Sequence, residues 1–208
     1  MKFFELISVA AVGLILSSTG KPPIDLGSSP KRDQSGYLAG QLLVATGEIS
    51  DRRFAQTVIY MVMHNKAGAM GLVVNRPVAK GPMADLLKSL GAENKDAKGE
   101  IVIHYGGPVE PETGFVLHSD DYVVNGTIRV RDGIAATSSV EVLRAISQGK
   151  GPRESLFAFG YAGWGPGQLE AEISRNAWFS IPAEKELIFG ADAESKWQRA
   201  TDRRKVPL

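Results

Sequence analysis

From Gln41 onward the chain is divided into short runs rich in Leu, Val, Ile and aromatic residues, each soon ended by glycine, proline or an Asn-Gly pair. This punctuation restricts the fold more than any other feature. Gln41–Thr46, Thr57–His64, Gly71–Asn75, Glu100–Tyr105, Gly114–His118 and Ser155–Tyr161 read as strands, with Pro77 stopping the third. Asn125-Gly126 predicts a hairpin joining Tyr122–Asn125 to Thr127–Arg131. Leu187–Phe189 reads as a last strand. Helical signals lie between these runs. Pro82 opens a helix whose apolar stripe is Met83, Leu86, Leu87 and Leu90, and Gly91 ends it. Ser138 with Glu141 makes a capping box ahead of Val142, Leu143 and Ile146, and Gly149 stops that helix. Gln168–Asn176 begins a third helix after the loop Gly163–Gly167, and a last one starts near Asp192. Strands and helices do not alternate in a strand–helix–strand rhythm. The reading is therefore an α+β domain with antiparallel hairpins, not a doubly wound sheet. No internal repeat is visible, which excludes a solenoid.

At 208 residues the chain suits one domain, predicted to span residues 37–208 behind a separate segment of residues 1–36. Cysteine is absent, so disulfides, thiolate metal sites and cysteine nucleophiles are excluded. The last thirteen residues carry five basic groups against one acidic, a net of +4, which leaves the preceding chain at −3 out of a total of +1. A mildly acidic body argues against autonomous binding to duplex DNA. The basic tail reads first as a solvated helix end and second as a nucleic-acid arm. Leu6–Leu16 is almost entirely apolar and is followed by small residues, with Lys2 before it and Glu5 interrupting. Three readings of this leader stand side by side: a start-site extension, a secretory signal, or a membrane anchor short of the usual span. Residues 21–36 read as a Pro/Gly/Ser-rich linker.

The chemical signals are modest. Gly163-Trp164-Gly165-Pro166-Gly167 lies between a strand and a helix, where a phosphate would dock, yet its spacing is not Gly-x-Gly-x-x-Gly. Pro166 also lacks an N–H, and Glu170 and Glu172 would repel an anion. Tight glycine turns are the simpler account, with a pocket edged by Tyr161 and Trp164 as the functional one. His64, His104 and His118 sit at strand ends without ligand spacing, and no Gly-x-Ser-x-Gly elbow is present. Glu170, Glu172 and Arg175 fall at helical spacing, as a solvated face or, less simply, as paired acid–base carboxylates. Asn75-Arg76-Pro77 ends a strand at a chain reversal, and Arg76 there would favour an anionic group.

Several motifs in order resemble the YqgE/AlgH-type family of bacterial proteins. They are Gly40-Gln41-Leu42-Leu43-Val44-Ala45, Gly68-Ala69-Met70-Gly71-Leu72-Val73-Val74-Asn75-Arg76-Pro77, Gly106-Gly107-Pro108-Val109, and Gly114-Phe115-Val116-Leu117-His118. The longest is Gly160-Tyr161-Ala162-Gly163-Trp164-Gly165-Pro166-Gly167-Gln168-Leu169-Glu170, followed by Glu172, Asn176 and Trp178, and then by Lys196-Trp197. The resemblance covers about residues 37–200. It implies a strongly curved, partly closed sheet flanked by helices and a cytoplasmic location, although the leader keeps export or anchoring open. It implies no reaction, and some members carry a transcriptional-regulator label. The leading expectation is a non-enzymatic binding or regulatory protein acting through a protein or small-molecule partner, with no cofactor and no metal. Its cleft would gather Asn75, Arg76, His118, Tyr161, Trp164, Gln168 and Glu172. The alternatives are an enzyme with its site near Asn75, His118 and Trp164, and a nucleic-acid binder using the tail.

Overall fold

The runs between Gln41 and Val73 have almost no polar face, and strands made from such runs are covered on both sides. The computed structural model describes residues 37–204 except Glu93 and Lys95. The leader and linker of residues 1–36 and the end of the basic tail, residues 205–208, lie outside the described residues. The strands are β1 (Gln41–Ala45), β2 (Val58–Asn65), β3 (Gly68–Val73), β4 (Pro77–Pro82), β5 (Glu100–Tyr105), β6 (Val109–Ser119), β7 (Ile128–Arg131), β8 (Ile134–Thr137), β9 (Ser155–Trp164) and β10 (Trp178–Pro182). The helices are α1 (Met83–Ser89), α2 (Val140–Ser147), α3 (Gln168–Ser174), α4 (Lys185–Phe189) and α5 (Lys196–Arg203), with a 3-10 turn at Arg52–Phe54.

The sheet runs β10-β1-β2-β3-β9-β6-β8-β7 and curls into a half-barrel of a single α+β domain. All of its pairings along that order are antiparallel. The β4–β5 ribbon joins through a parallel pairing of β5 with β9. One face gathers Leu42, Tyr60, Leu72, Leu117, Ile134 and Leu156, and is closed by Ile188 of α4 and Ala200 of α5. The opposite face packs Leu43, Ile59, Val73, Trp164 and Trp178 against Leu169 of α3. Leu86 and Leu87 of α1 and Val142 and Leu143 of α2 cover Val116 and Phe157 in a third cluster.

β9 carries the central irregularity. Leu156 and Ala158 face the first cluster, but so does Tyr161, whereas Ala162 and Trp164 face the second. Strand side chains alternate with period two, so one residue between them must break the alternation. Gly160 does this at φ +70, and a Cβ there would collide with the Gly107 carbonyl oxygen. The Gly106-Gly107 pair is thus where two backbones touch.

The structure moves several predicted boundaries. Pro77 does not merely stop β3: it begins β4, an exposed edge strand, where a missing N–H is tolerated. The hairpin is not at Asn125-Gly126. It joins β7 to β8 through Asp132 and Gly133, both at positive φ (53 and 75). Ile134–Thr137 is wholly buried and pairs with β6, while Val123 is 46% exposed, so burial selects the second turn dipeptide. The Asn125-Gly126 stretch closes locally instead, with Val124 N–H on the Thr127 hydroxyl. Ser139, not Ser138, caps α2 by accepting the Glu141 N–H. Leu187–Phe189 is helical within α4, because a three-residue apolar run carries no period of its own. β10 is absent from the predicted strands: it starts at Trp178, so close behind α3 that its own short run is masked by the helix motif.

Candidate functional site

Glycine-rich residues 163–167 deliver Trp164 at the end of β9 and then turn into α3 through Gly167 at φ +72. A single carboxylate, that of Glu172, organises this corner. Glu172 Oε2 accepts the indole N–H of Trp164 at 2.9 Å and that of Trp178 at 2.7 Å. Its Oε1 accepts the Gln168 amide at 2.9 Å, and Gln168 in turn accepts the Gly165 N–H at 3.1 Å. The two indoles meet edge to face at 5.9 Å, and Phe54 meets Trp178 at 5.7 Å. Glu172 is therefore neither a solvated helix residue nor one of a carboxylate pair. Its neighbour Glu170 turns to His64 instead, at 3.0 Å. The Glu170 carboxyl is held below its ordinary range, first by a backbone N–H and then by His64.

Asn75 and Arg76 work elsewhere. Ala69 of β3 opposes Trp164, and Asn75 lies six residues further along, about 20 Å at roughly 3.3 Å per residue. Asn75 accepts the Val58 N–H at 2.9 Å and donates to the Gln56 carbonyl at 2.9 Å. Arg76 donates to the Ala55 carbonyl at 2.6 Å. Together they fasten the segment after the 3-10 turn.

His118 is fully buried on β6. It pairs with the Ser119 carbonyl through Nδ1 at 2.9 Å. Burial pulls its imidazole below the ordinary range. The adjacent Ser119 hydroxyl donates to Asp121 at 2.6 Å, away from the imidazole, and Arg153 donates to the same carboxylate at 2.7 Å. Asp121 is lowered to about 2, chiefly by the Ser119 hydroxyl and then by Arg153. A nucleophile needs its base within hydrogen-bond reach, and Ser119 turns to a carboxylate already occupied by Arg153. His104 contacts the Phe157 carbonyl at 3.1 Å and is pulled down, mainly by burial. Among the described residues no group of three His, Cys, Asp or Glu side chains converges on a point.

Of the seven predicted cleft residues, Trp164, Gln168 and Glu172 form one node, Asn75 and Arg76 a second place, and His118 a third. Tyr161 belongs to a fourth, where the surface is concave. Between Val109 and Gly114 β6 leaves its register with β9, and Glu110 takes φ +49. Two hollows adjoin this bulge. One, of about 260 Å³, is lined by Leu90, Val116, Leu143 and Phe157 among others. The other, of about 230 Å³, is lined by Val62, Met70, Phe115, Ile128 and Tyr161 with Glu110. Both share Thr113 and Ser138. Burial first, and then the Glu110 carboxylate it faces, pushes the Tyr161 phenol up, so it remains a protonated donor. Glu110, Thr113, Phe115 and Ser138 were missed from sequence. The available signal was Pro111 within a strand-like stretch, which marks a bulge in the ladder.

The described part of the basic tail, residues 196–204, is folded back on the body. Lys196 is 1% exposed and donates to the carbonyls of Val74 at 3.0 Å and Ile188 at 2.8 Å, so it is not part of a solvated end. Arg199 and Arg203 pair with Glu186 and Glu184, and Arg204 lies 4.7 Å over the Phe179 ring. Among the described residues no helix is long and apolar enough to cross a membrane.

Comparison with known proteins agrees with this architecture. Residues 42–208 match the family model described as AlgH-like. A UPF0301 protein of Methylobacterium sp. (strain 4-46) is 45% identical over 190 residues, covering 88% of this chain and 90% of that one. The solution structure of the AlgH protein from Pseudomonas aeruginosa, a UPF0301 protein, shares 41% identity at a TM-score of 0.71, over 86% of this chain and 95% of that one. The crystal structure of protein DIP2367 from Corynebacterium diphtheriae shares the fold, with a TM-score of 0.62 at 19% identity over 82% of this chain and 88% of that one. The sequence motifs, the curled sheet and these matches together place the chain in the AlgH-like family.

Proposed function

We propose that this chain is a non-enzymatic binding protein of regulatory role, recognising a protein partner at the two hollows beside the β6 bulge. The observation that carries this reading is their size and lining. At about 260 and 230 Å³ each is smaller than the roughly 300–1,000 Å³ of small-molecule sites, which suits a pair of partner side chains better than a cofactor. The walls of the Tyr161 hollow are mainly apolar and those of the other are mixed, with Glu110, Tyr161, Thr113, Ser138 and Ser139 supplying polar groups to fix orientation. The groups that suggested chemistry in the sequence have structural hydrogen bonds instead. Arg199, Arg203 and Arg204 engage the body, which weighs against a nucleic-acid arm. The regulator label on some family members is read as action through such a partner, in the cytoplasm.

A photo-crosslinking residue at Ser138, which lines both hollows, tests the proposal. It should capture one partner in cells, and Thr113→Arg should abolish capture without lowering the melting temperature. Capture that Thr113→Arg leaves intact, or none above that from a crosslinker at exposed Val78, would refute it.

A further inference from the structure

Pairing between β6 and β9 lapses from Val109 to Gly114, and Glu110 holds φ +49 inside that gap. A glutamate in the left-handed region needs contacts to keep it there. Two are present. The Thr113 hydroxyl donates to Glu110 Oε2 at 3.3 Å. The Tyr161 phenol, kept protonated by burial first and by the Glu110 charge second, donates to the same carboxylate. A carboxylate accepts about four hydrogen bonds, so part of its capacity remains open.

Glu110, Thr113 and Tyr161 all line the hollow of about 230 Å³, and Glu110 is the one charged residue among the described residues of its wall. Among the described residues no lysine, arginine or histidine forms an ion pair with it. The Phe115 and Tyr161 rings, which meet edge to face at 5.7 Å, line the same hollow. Val62, Met70 and Ile128 add apolar surface. A carboxylate, aromatic rings and apolar surface together complement a long cationic side chain. Its methylene stem packs on the apolar wall while its head keeps a charge partner. The negative faces of aromatic rings attract the same head. A neutral side chain would cover the carboxylate without giving it a cation, and an anionic one would meet like charge.

We propose that the partner inserts a lysine or arginine side chain into this hollow, with its cationic head against Glu110 and its stem along Val62, Met70 and Ile128. The inference rests on the reading of the hollows as a protein-binding surface. It adds the chemical class of the residue that anchors there.

The test is a titration of the isotope-labelled full-length chain, followed by NMR at the Phe115 and Tyr161 rings and the Met70 methyl. The probes are the N-acetyl, N-methylamide derivatives of lysine and arginine. The same derivative of norleucine, which keeps the stem and lacks the charge, is the control, and putrescine stands for a free amine. Saturable shifts in the millimolar range are expected for at least one cationic probe, with norleucine about fivefold weaker, the scale of a partly solvated charge pair beside an aromatic ring. Glu110→Gln should remove that preference and leave norleucine binding unchanged. Salt at about 0.5 M should likewise weaken the cationic probe alone. Preference for lysine or for arginine names the head, and either supports the site. Shifts that fail to saturate, equal binding of norleucine, or a cation preference that survives Glu110→Gln would overturn it. So would putrescine binding about tenfold tighter than both cationic probes, which would make the occupant a free amine. Equal binding of norleucine with crosslinked capture from Ser138 intact removes the cation and leaves the partner surface standing. Absent capture with the cation preference intact counts against the partner surface, and the cation site stands.

Discussion

The Glu172 node and the β6 bulge are both glycine- or proline-marked places on β9 and its neighbours, and they are opposite in character. At Glu172 three side-chain donors, from Trp164, Gln168 and Trp178, converge on one carboxylate. At the bulge the ladder opens, a non-glycine residue holds positive φ, and apolar walls stay partly uncovered. The first place is built to hold still. The second accepts a conformational penalty, and strained backbone of this kind clusters at functional positions. A rich motif thus marks architecture here, and a plain stretch marks the hollows proposed for binding.

The largest expected effect tests the structural half of this contrast. Glu172→Ala would leave two indole N–H groups on largely buried rings without an acceptor. Hydrogen bonds to a charged group contribute about 1.5–3 kcal/mol each, so a loss of roughly 4 kcal/mol is expected in urea unfolding. Glu172→Gln keeps an acceptor and should lose less than half of that. If Glu172→Ala unfolds at the wild-type urea midpoint, the node is not the brace described.

Lys196 carries the same contrast into pH dependence. Burial lowers its amine from 10.5 to about 8 in the folded chain. Between those values the unfolded state binds more protons than the folded state, so this group makes stability rise with pH. The rise is at most roughly 3 kcal/mol across the full interval. Tyr60 acts in the opposite sense above pH 10, since burial raises its phenol and the folded chain keeps that proton longer. The clean window is therefore pH 8 to 10. Unfolding of wild type and Lys196→Met should diverge there, the wild type gaining relative to the variant. Parallel pH profiles would show that Lys196 is not buried as a cation.

The strand core was legible because burial writes it directly into composition: Leu42 to Ala45 and Val58 to Val62 have no room for a polar face. The family motifs carried the curl of the sheet. What composition could not show was which of two X-Gly dipeptides forms the hairpin, since that depends on the partner strand β6 supplying burial for Ile134–Thr137. Nor could it show that one Glu172 oxygen accepts both Trp164 and Trp178, because the residues meet only once β10 is paired to β1. The hollows beside the bulge were least visible, since Glu110 owes its place to a bulge rather than to its chemistry. Asn75 and Arg76 stood out in the sequence at a chain reversal, and what they fasten is the segment that follows the 3-10 turn.

Glu110→Gly is the smallest effect and the most discriminating. A non-glycine residue in the left-handed region is penalised by roughly 1–2 kcal/mol, which glycine relieves. Glycine also gains freedom in the unfolded chain, which opposes the gain by about 0.5–1 kcal/mol. The net is a stabilisation of at most about 1 kcal/mol, or no change. Partner capture from Ser138 should nevertheless fall, because the carboxylate facing Tyr161 is gone. Glu110→Asn, which tolerates positive φ better than most residues, should hold stability and also lose capture. If capture survives both substitutions, the Glu110 carboxylate has no part in recognition. If stability drops sharply instead, Glu110 belongs with Glu172 among the braces of the fold, and the contrast between the two regions collapses.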